Sequence, residues 1–482
     1  MGWLGGWEMD DSSKFNDLVI LGGSDTNEVS NSAWQVSAES ADELIKSAIN
    51  KVSLDEPEFW SRGIEGVNDS GHGLFLYPAM MVPSVQRKLV EIISQFSDVE
   101  VAYDPFLGAG TSASACLYNG ISSYGQDINP LAVLLSRART TPLPGAERLV
   151  RRVVLQAKSD KSRAVTAKFS KRGKWFTNSA SLYLSRLSRA IRKIKNISER
   201  RFLWVCLAET IRLSSNDRTS TYKLHARPLE EIASRKVDVI KVFEKTSIGN
   251  ARRLNTFHEG VCKSGQIERS ALSEFVTINH DDARCPKIPV EVGKFDFLIT
   301  SPPYGDNITT VTYGQHSYLA LHWIDWNDID PNLDPDKFLG TTQQIDRISL
   351  GGKKPDDFEQ AKDDLCAKSP TFKKQMLKLS KLERDGEQRV VAFFHDVLMV
   401  LNSSVPLLRK DAYLAFTVGN RTVRGLEIEN TKIITELFAN LGVVKVDEIT
   451  RSIHNKRMPH RNSSAKTMST ECISIYRNAQ NG

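Results

Sequence analysis

The feature that most constrains the fold is a strand that runs into a glycine-rich turn and then a helix. Val99 to Tyr103 has the apolar pattern of a strand and leads into Asp104-Pro105-Phe106-Leu107-Gly108-Ala109-Gly110-Thr111. A helix is predicted from Ser112 to Asn119, ended by Gly120. Glycines let backbone N–H groups approach a ligand beside the positive end of a helix. The pattern favours an anion- or nucleotide-binding corner of an α/β fold over an ordinary tight turn.

A second acid follows the next predicted strand. Residues 122–127 end that strand with Asp127, and Pro130 begins a helix that runs to about Arg139. Asp127 lies 17 residues beyond Gly110, close to the offset of about 20 at which an acid meets ribose hydroxyls in nucleotide-binding folds. A helix cap is the alternative role. The spacing favours the ribose.

A stiff turn follows a third predicted strand. Phe295 to Ile299 runs apolar and leads into Thr300-Ser301-Pro302-Pro303-Tyr304. Two prolines lack N–H donors and cannot continue a central strand, so the chain leaves the sheet at its carboxyl edge, where ligands bind. The free carbonyls, the hydroxyl and the ring would suit a planar amine. Taken alone, the turn is equally compatible with plain structure.

The remaining pattern completes an α/β protein of about seven strands. Further strands are predicted at 275–278, 412–418, 443–449 and 472–476. No helix separates the last two strands, as an antiparallel hairpin-like end requires. Two insertions interrupt the alternation: a basic helical one at 143–274 and a second one at 319–387. Residues 1–70 indicate a loosely ordered N-terminal arm with a helix near 41–52.

Composition restricts the class of protein. The 482 residues hold 64 Lys and Arg against 58 Asp and Glu, a net charge of +6, so nucleic-acid binding must rest on local clusters. Six cysteines without a Cys-x-x-Cys pair argue against disulfides and against a metal site, and they suit a cytoplasmic location. We find no apolar run of about 18 residues and no secretory signal, and we predict no membrane partner.

One basic cluster stands beside aromatic residues. Lys171, Arg172 and Lys174 directly precede Trp175 and Phe176. Charge runs usually mark solvated helix faces, but basic and aromatic side chains together also suit a phosphate backbone and stacked bases. The cluster therefore favours nucleic-acid binding by the 143–274 insertion, with the 319–387 insertion as the rival for target recognition.

The two turns together resemble the main motifs of a known family. Residues 104–111 and 300–304 are similar to the cofactor and catalytic motifs of the S-adenosylmethionine-dependent amino-methyltransferases, which modify exocyclic amines of DNA bases. Tyr77-Pro78-Ala79 resembles the family's flanking motif over the methionine end of the cofactor. The resemblance implies S-adenosyl-L-methionine as cofactor and a Rossmann-like class I methyltransferase fold. It covers about 70–142 and 275–480, and the catalytic domain would comprise 71–142 and 275–480.

The resemblance also implies roles for individual residues. Asp104 would meet the amino group of the cofactor, Asp127 the ribose, and Asp282 the adenine amine, with Asp281 as the rival for the last role. Lys456-Arg457 resembles a late loop near the target pocket, and a solvated turn is equally open. The full cofactor-binding set would be Tyr77, Asp104, Phe106, Gly108, Gly110, Thr111, Asp127 and Asp282.

The catalytic set would be Ser301, Pro302, Pro303 and Tyr304. The Ser form of this motif mostly accompanies methylation of cytosine at N4, and the Asp or Asn form methylation of adenine at N6. The cofactor motif comes first here, unlike the commonest cytosine-N4 arrangement. Methylation at carbon 5 of cytosine would need a cysteine nucleophile in a Pro-Cys pair, whereas Cys285-Pro286 has the reverse order.

The expected function is therefore methylation of cytosine N4 in DNA, with the base flipped out of the duplex, in a restriction-modification or related defence system. A restriction endonuclease is a possible partner. The alternatives are an adenine-N6 DNA methyltransferase, an RNA amino-methyltransferase and an inactive nucleic-acid-binding subunit. The recognition sequence and the oligomeric state are left open by these patterns.

Overall fold

The computed structural model describes residues 37–63, 71–382, 384–453 and 469–480. The strands in these ranges are β1 (Val101–Asp104), β2 (Ser122–Asp127), β3 (Val276–His280), β4 (Phe295–Thr300), β5 (Leu408–Val418), β6 (Arg421–Val423), β7 (Leu426–Ile428), β8 (Val443–Ser452) and β9 (Thr470–Asn478). Strands β6 and β7 pair only with each other. The other seven form one sheet in the order β3-β2-β1-β4-β5-β9-β8.

Strands β1 to β5 of this sheet are parallel, and β9 runs antiparallel between β5 and β8. The predicted α/β, Rossmann-like fold with an antiparallel end is confirmed. The chain order reverses on either side of β1, because β2 lies beside one edge of it and β4 beside the other. A crevice opens at the carboxyl ends of strands at such a switch point. The turns after β1 and β4 therefore meet there.

Helices surround the sheet. They are α1 (Ala38–Asp55), α2 (Pro83–Phe96), α3 (Thr111–Tyr118), α4 (Pro130–Thr140), α5 (Ala146–Ser159), α6 (Arg172–Trp175), α7 (Asn178–Arg192), α8 (Ile197–Ser214), α9 (Leu229–Ser234), α10 (Val239–Gly265), α11 (Tyr313–Leu321), α12 (Asp336–Leu339), α13 (Gln344–Ile348), α14 (Phe358–Lys368), α15 (Pro370–Leu379), α16 (Arg384–Ser404) and α17 (Asn430–Ala439).

Successive strand residues point to opposite faces and so build two cores. One core joins Ala102, Phe297 and Ile473 to α1, α2 and α3. The other joins Tyr103 and Leu298 to helices α14 to α17. One helix, spanning 385–407, is long and apolar enough to cross a membrane by length and composition alone. It packs inside the second core, with 67% of its most apolar stretch buried, which accounts for its composition.

Helix α1 belongs to the first core. Its Ile45 and Ile49 are buried, and Trp60 beyond its end is 4% exposed. Asp42 on α1 accepts hydrogen bonds from the Tyr413 hydroxyl (2.7 Å) and from Arg477 Nε (3.1 Å). The helix predicted near 41–52 is confirmed by α1. The prediction of a loosely ordered remainder is wrong for residues 56–60, because Phe59 and Trp60 are buried in the same core. Residues 1–36 lie outside the described residues.

The 143–274 insertion packs directly on the sheet's own helices. Helix α8 lies against α4, and α10 lies against α3. Buried Trp204 and Phe257 belong to the same hydrophobic core as Leu134 of α4. Several arginines are paired with acids, such as Arg200 with Asp328 at 2.6 Å. Residues 143–274 thus share a hydrophobic core with α4 of the sheet.

Candidate active site

A cavity of about 820 Å³, counted with its open mouth, lies at the carboxyl ends of β1 to β4. Its walls come from the turns that follow these strands, from the segment before α2 and from α13. The predicted site residues that line it are Tyr77, Phe106, Gly108, Thr111, Asp127, Asp282, Ser301 and Pro303. The two turns singled out in the sequence therefore share one pocket.

The glycine turn after β1 has the backbone that its sequence predicts. Gly108 and Gly110 have φ of 51° and 76°, where side chains with a Cβ are strained. The Gly108 N–H donates to Asp127 Oδ2 at 2.8 Å, which joins the turn to the end of β2. A Cβ on Gly110 would come within 2.8 Å of Ser136 Oγ. Gly110 lies outside the pocket lining, so its observed part is to let α4 pack closely against the turn.

Asp104 joins the two turns by hydrogen bonds. Its carboxylate accepts from Thr300 Oγ1 (2.6 Å), from the Phe106 N–H (2.9 Å) and from Ser112 Oγ. Burial raises the pKa of Asp104 to about 6. The side chain is 3% exposed and does not line the pocket. Here the carboxylate joins the two turns through hydrogen bonds within the chain, and its contact with the cofactor's amino group stays a prediction.

Asp127 lines the pocket at the end of β2. It accepts from the backbone N–H groups of Gly108 (2.8 Å) and Asn129 (2.7 Å). Burial raises the pKa of Asp127 to about 6, and these two hydrogen bonds partly oppose the rise. The N-cap of α4 is Asn129, whose side chain accepts from the Leu131 N–H. Asp127 is thus available to a ligand's hydroxyl groups.

Asp281 and Asp282, the two candidates for the acid that meets the adenine amine, have different surroundings. Asp282 lines the pocket and is paired with Arg284, whose Nη2 lies 2.6 Å from Asp282 Oδ2. Arg284 also donates to Asp396 (3.2 Å) and to the Ile348 carbonyl (2.9 Å). Asp281 instead accepts from the N–H groups of its own loop and is not part of the lining. The geometry favours Asp282 over Asp281 as the acid that a ligand would meet.

The proline turn after β4 presents Ser301 and Pro303 to the pocket, whereas Pro302 and Tyr304 lie outside its lining. The Tyr304 hydroxyl donates to Glu471 Oε2 at 2.7 Å and lies 3.3 Å from Ser301 Oγ. Burial, reinforced by the charge of Glu471, raises the pKa of Tyr304 well above its ordinary value. Tyr304 therefore keeps its proton over the range in which proteins are handled.

Several residues that sequence reasoning missed also belong to the site. Asn307 lines the pocket, is 3% exposed, and its Oδ1 has no hydrogen-bond partner. The Tyr313 ring lies 5.7 Å from the Tyr77 ring, and Asn129 donates to the Tyr77 hydroxyl at 3.1 Å. The one available signal was proximity, because Asn307 lies six residues beyond Ser301. Nothing in the sequence indicated Glu471.

The residues predicted to bind nucleic acid differ in their exposure to solvent. Trp175 is 5% exposed, and Phe176 and Trp204 are fully buried. The prediction that Trp175 stacks on bases is wrong for this structure, because its ring is used in the protein core. Lys171 and Lys174 are exposed, and Arg172 donates to the Ala167 carbonyl at 3.0 Å. The predicted pair Lys456 and Arg457 lies outside the described residues.

Comparison with known proteins gives one relative of substantial coverage. The chain is 29% identical over 429 residues to the type II methyltransferase M.MvaI of Kocuria varians, across 84% of this chain and 91% of that protein. No family model matches the chain. Among solved structures, the rRNA methyltransferase aviRa from Streptomyces viridochromogenes has a TM-score of 0.32 at 10% identity, covering 86% of this chain and 94% of that one. The Kocuria relative supports a methyltransferase.

Proposed function

We propose that this protein is an S-adenosylmethionine-dependent DNA methyltransferase that acts on the exocyclic N4 amine of cytosine. One observation carries the proposal: the glycine turn after β1 and the Ser-Pro-Pro-Tyr turn after β4 open into one pocket at the switch point of the sheet. The resemblance of both turns to the amino-methyltransferase motifs supports it. So does the Kocuria varians relative, which is named a type II methyltransferase.

The pocket residues fit the cofactor. Gly108 brings backbone close to a methionine end, Asp127 has carboxylate lone pairs for ribose hydroxyls, and Asp282 is an acceptor for an adenine amine. Tyr77, Phe106 and Thr111 complete the walls. S-adenosyl-L-methionine, when bound, supplies an activated methyl group.

The catalytic turn would act on the amine by hydrogen bonding. The lone pair of an aromatic amine is conjugated into the ring, which makes the nitrogen a poor nucleophile. If Ser301 Oγ and the Pro302 carbonyl accept its two N–H bonds, they favour a tetrahedral nitrogen whose lone pair is free to react. Pro303 lines the pocket beside them, and the Tyr304 ring would stack on the base. The methyl group would then pass directly to the positioned amine, and no covalent enzyme intermediate is needed.

The nucleic acid would be held outside this pocket. The target base must leave the duplex to reach Ser301. Lys171, Arg172 and Lys174, with Lys456 and Arg457, would neutralise phosphates. The 143–274 insertion would read the target, and 319–387 is the rival. We also propose a restriction-modification role in the cytoplasm, with a partner endonuclease. The type II name of the relative supports the restriction-modification role.

Adenine-N6 methylation is the second candidate. The sequence observation that favours it is the motif order, since the cofactor motif precedes the catalytic motif here. Ser301 as the first residue of the catalytic turn favours cytosine.

The test is an incubation with labelled S-adenosylmethionine and DNA or RNA of varied sequence, followed by digestion to nucleosides. N4-methylcytosine in DNA is the expected product. N6-methyladenine would replace the proposal by the second candidate, and label in RNA alone would overturn DNA as the substrate. No transfer to any nucleic acid, with cofactor binding intact, would leave only a binding subunit.

A further inference from the structure

A chain of hydrogen bonds runs from the catalytic turn to the far strands of the sheet and is buried at its far end. Ser301 Oγ lies 3.3 Å from the Tyr304 hydroxyl, which donates to Glu471 Oε2 at 2.7 Å. Arg451 donates to the other oxygen of Glu471, Oε1. The Arg451 and Glu471 side chains are 7% and 11% exposed. Solvent therefore has little access to the links beyond Tyr304.

Arg451 is itself fixed on every side. It stands opposite Glu471 in the β8–β9 ladder. Its Nε donates to the Trp60 carbonyl at 2.7 Å, and its Nη2 donates to the Arg62 carbonyl at 2.8 Å. Because a guanidinium only donates, Glu471 Oε1 must remain an acceptor. The carboxylate is thereby held with Oε2 toward Tyr304.

We propose that Glu471 is a positioning residue that sets the direction of this chain, an inference that rests on the proposed amine methylation. A carboxylate only accepts hydrogen bonds, so the hydroxyl of Tyr304 must donate its one proton to Glu471. The Tyr304 oxygen can then accept the Ser301 proton. The Ser301 lone pairs are left for the N–H of the target amine. The direction runs from amine to Ser301, to Tyr304, to Glu471.

This direction is what the proposed chemistry needs. A serine hydroxyl can turn its proton either way. If the proton of Ser301 pointed into the pocket, it would oppose the N–H of the amine and compete for the nitrogen lone pair. Fixing the far end of the chain removes that state without any contact between Glu471 and the base.

The isosteric change Glu471→Gln should reverse the chain. Arg451 can face only the amide oxygen, so the amide N–H group of Gln would face Tyr304. The Tyr304 proton would then turn to Ser301 Oγ, and the Ser301 proton would turn to the pocket. Shape and volume are kept, so the effect isolates hydrogen-bond direction from packing.

The experiment compares kcat, KM for DNA and the Kd of S-adenosylmethionine in the full chain. Glu471→Gln should lower kcat about 10- to 100-fold and leave the cofactor Kd within about twofold, since Glu471 is not among the residues that line the pocket. The matched control is Glu448→Gln, an exposed glutamate on the neighbouring strand β8. It should leave all three constants unchanged.

A double-mutant cycle separates direction from general damage. Tyr304→Phe removes the link between Ser301 and Glu471 but keeps the ring. In that background Glu471→Gln should change kcat by less than about twofold, because coupled residues are not additive. The proposal would be overturned if Glu471→Gln lowered kcat equally in the wild-type and Tyr304→Phe backgrounds. It would also be overturned if Glu471→Gln alone kept the wild-type kcat.

The melting temperature of each variant checks folding. If Glu471→Gln does not fold, Tyr304→Phe alone carries the test, because it leaves the Arg451–Glu471 pair intact; a kcat equal to wild type would then overturn the proposal. Failure of the proposed function is distinguishable, since it would appear as no methyl transfer by the wild-type protein.

Discussion

At the ends of β1 and β2, a buried aspartate, Asp104, and a partly buried one, Asp127, have different partners. The carboxylate of Asp104 accepts hydrogen bonds from the Thr300 and Ser112 hydroxyls and from the Phe106 N–H. Asp127 accepts two backbone N–H groups and still lines the pocket. Burial raises the pKa of each to about 6. Ionisation of both therefore costs stability as pH rises through about 6. Asp127 lines the pocket, so ligand binding there could offset that cost.

Cofactor affinity should therefore depend on pH through Asp127. Below about pH 6 its carboxyl is protonated and loses acceptor strength for ribose hydroxyls, so the Kd of S-adenosylmethionine should increase as pH falls from 7.5 to 5. Titration calorimetry over this range measures it. Asp127→Asn should bind more weakly at pH 7.5 and should lose this pH dependence. An unchanged pH dependence in the variant would assign the effect to Asp104 or another group.

Ser301 should matter for transfer and little for cofactor binding. Ser301→Ala removes the acceptor that we propose for the amine N–H, and kcat should fall about 100-fold. The cofactor Kd should stay within about twofold, because the residues that we propose to hold the cofactor lie in the turns after β1 to β3 and in the segment before α2. Single-turnover methyl transfer and equilibrium binding measure the two quantities. Equal losses in both would indicate that Ser301 shapes the pocket.

At the scale of elements, the sheet depends on a helix from the N-terminal segment. Helix α1 covers the face of β8 and β9, and Arg451 is anchored on the carbonyls of Trp60 and Arg62 just beyond α1. The Ser-Pro-Pro-Tyr turn is thereby connected, through Glu471, to a segment that precedes every strand of the sheet. The segment after α1 thus supports the site from outside the pocket.

Packing of α1 should contribute to global stability. Ile45 is fully buried, and Ile45→Ala should lower the free energy of unfolding by about 2–5 kcal/mol. The adjacent Leu44 is 41% exposed, so Leu44→Ala is the matched control and should cost less than about 1 kcal/mol. Urea unfolding monitored by circular dichroism gives both values. Similar small losses would mean that α1 is only loosely attached.

At the scale of the whole molecule, the positive charge is not spread evenly. Lys171 and Lys174 are exposed on the basic insertion, and Arg172 between them bonds to its own loop. Other basic residues of the insertion are neutralised by acids, such as Arg189 by Asp160 at 2.8 Å. The free charge for phosphates is therefore smaller than the composition of the insertion suggests.

Removing this charge should weaken DNA binding in a salt-dependent way. Lys171→Ala with Lys174→Ala should lower DNA affinity and reduce the slope of log K against log salt by about 2. The control is Lys410→Ala with Lys445→Ala, which removes the same charge near the starts of β5 and β8, at the edge opposite the pocket. Fluorescence anisotropy at several salt concentrations measures both. Equal slopes in the two double variants would contradict the assignment of this cluster.

The sequence by itself determined the two turns and their place in the fold. Positive φ at Gly108 and Gly110, and the missing donors of Pro302 and Pro303, are properties of the local backbone that act wherever the segment lies. The spacing to Asp127 followed from the length of one helix and one strand. Strand order then brought both turns to one pocket, because parallel strands share a carboxyl edge.

Only the tertiary structure decided which side chains complete the site. Glu471 lies 167 residues from Tyr304, and Arg451 lies 391 residues from Trp60, so no local pattern could join them. Trp175 looked like a stacking residue and is part of the core, because burial depends on how α8 and α10 pack rather than on neighbouring lysines. Local sterics set backbone shape, whereas the partners of a buried polar group are set by the packing of distant elements.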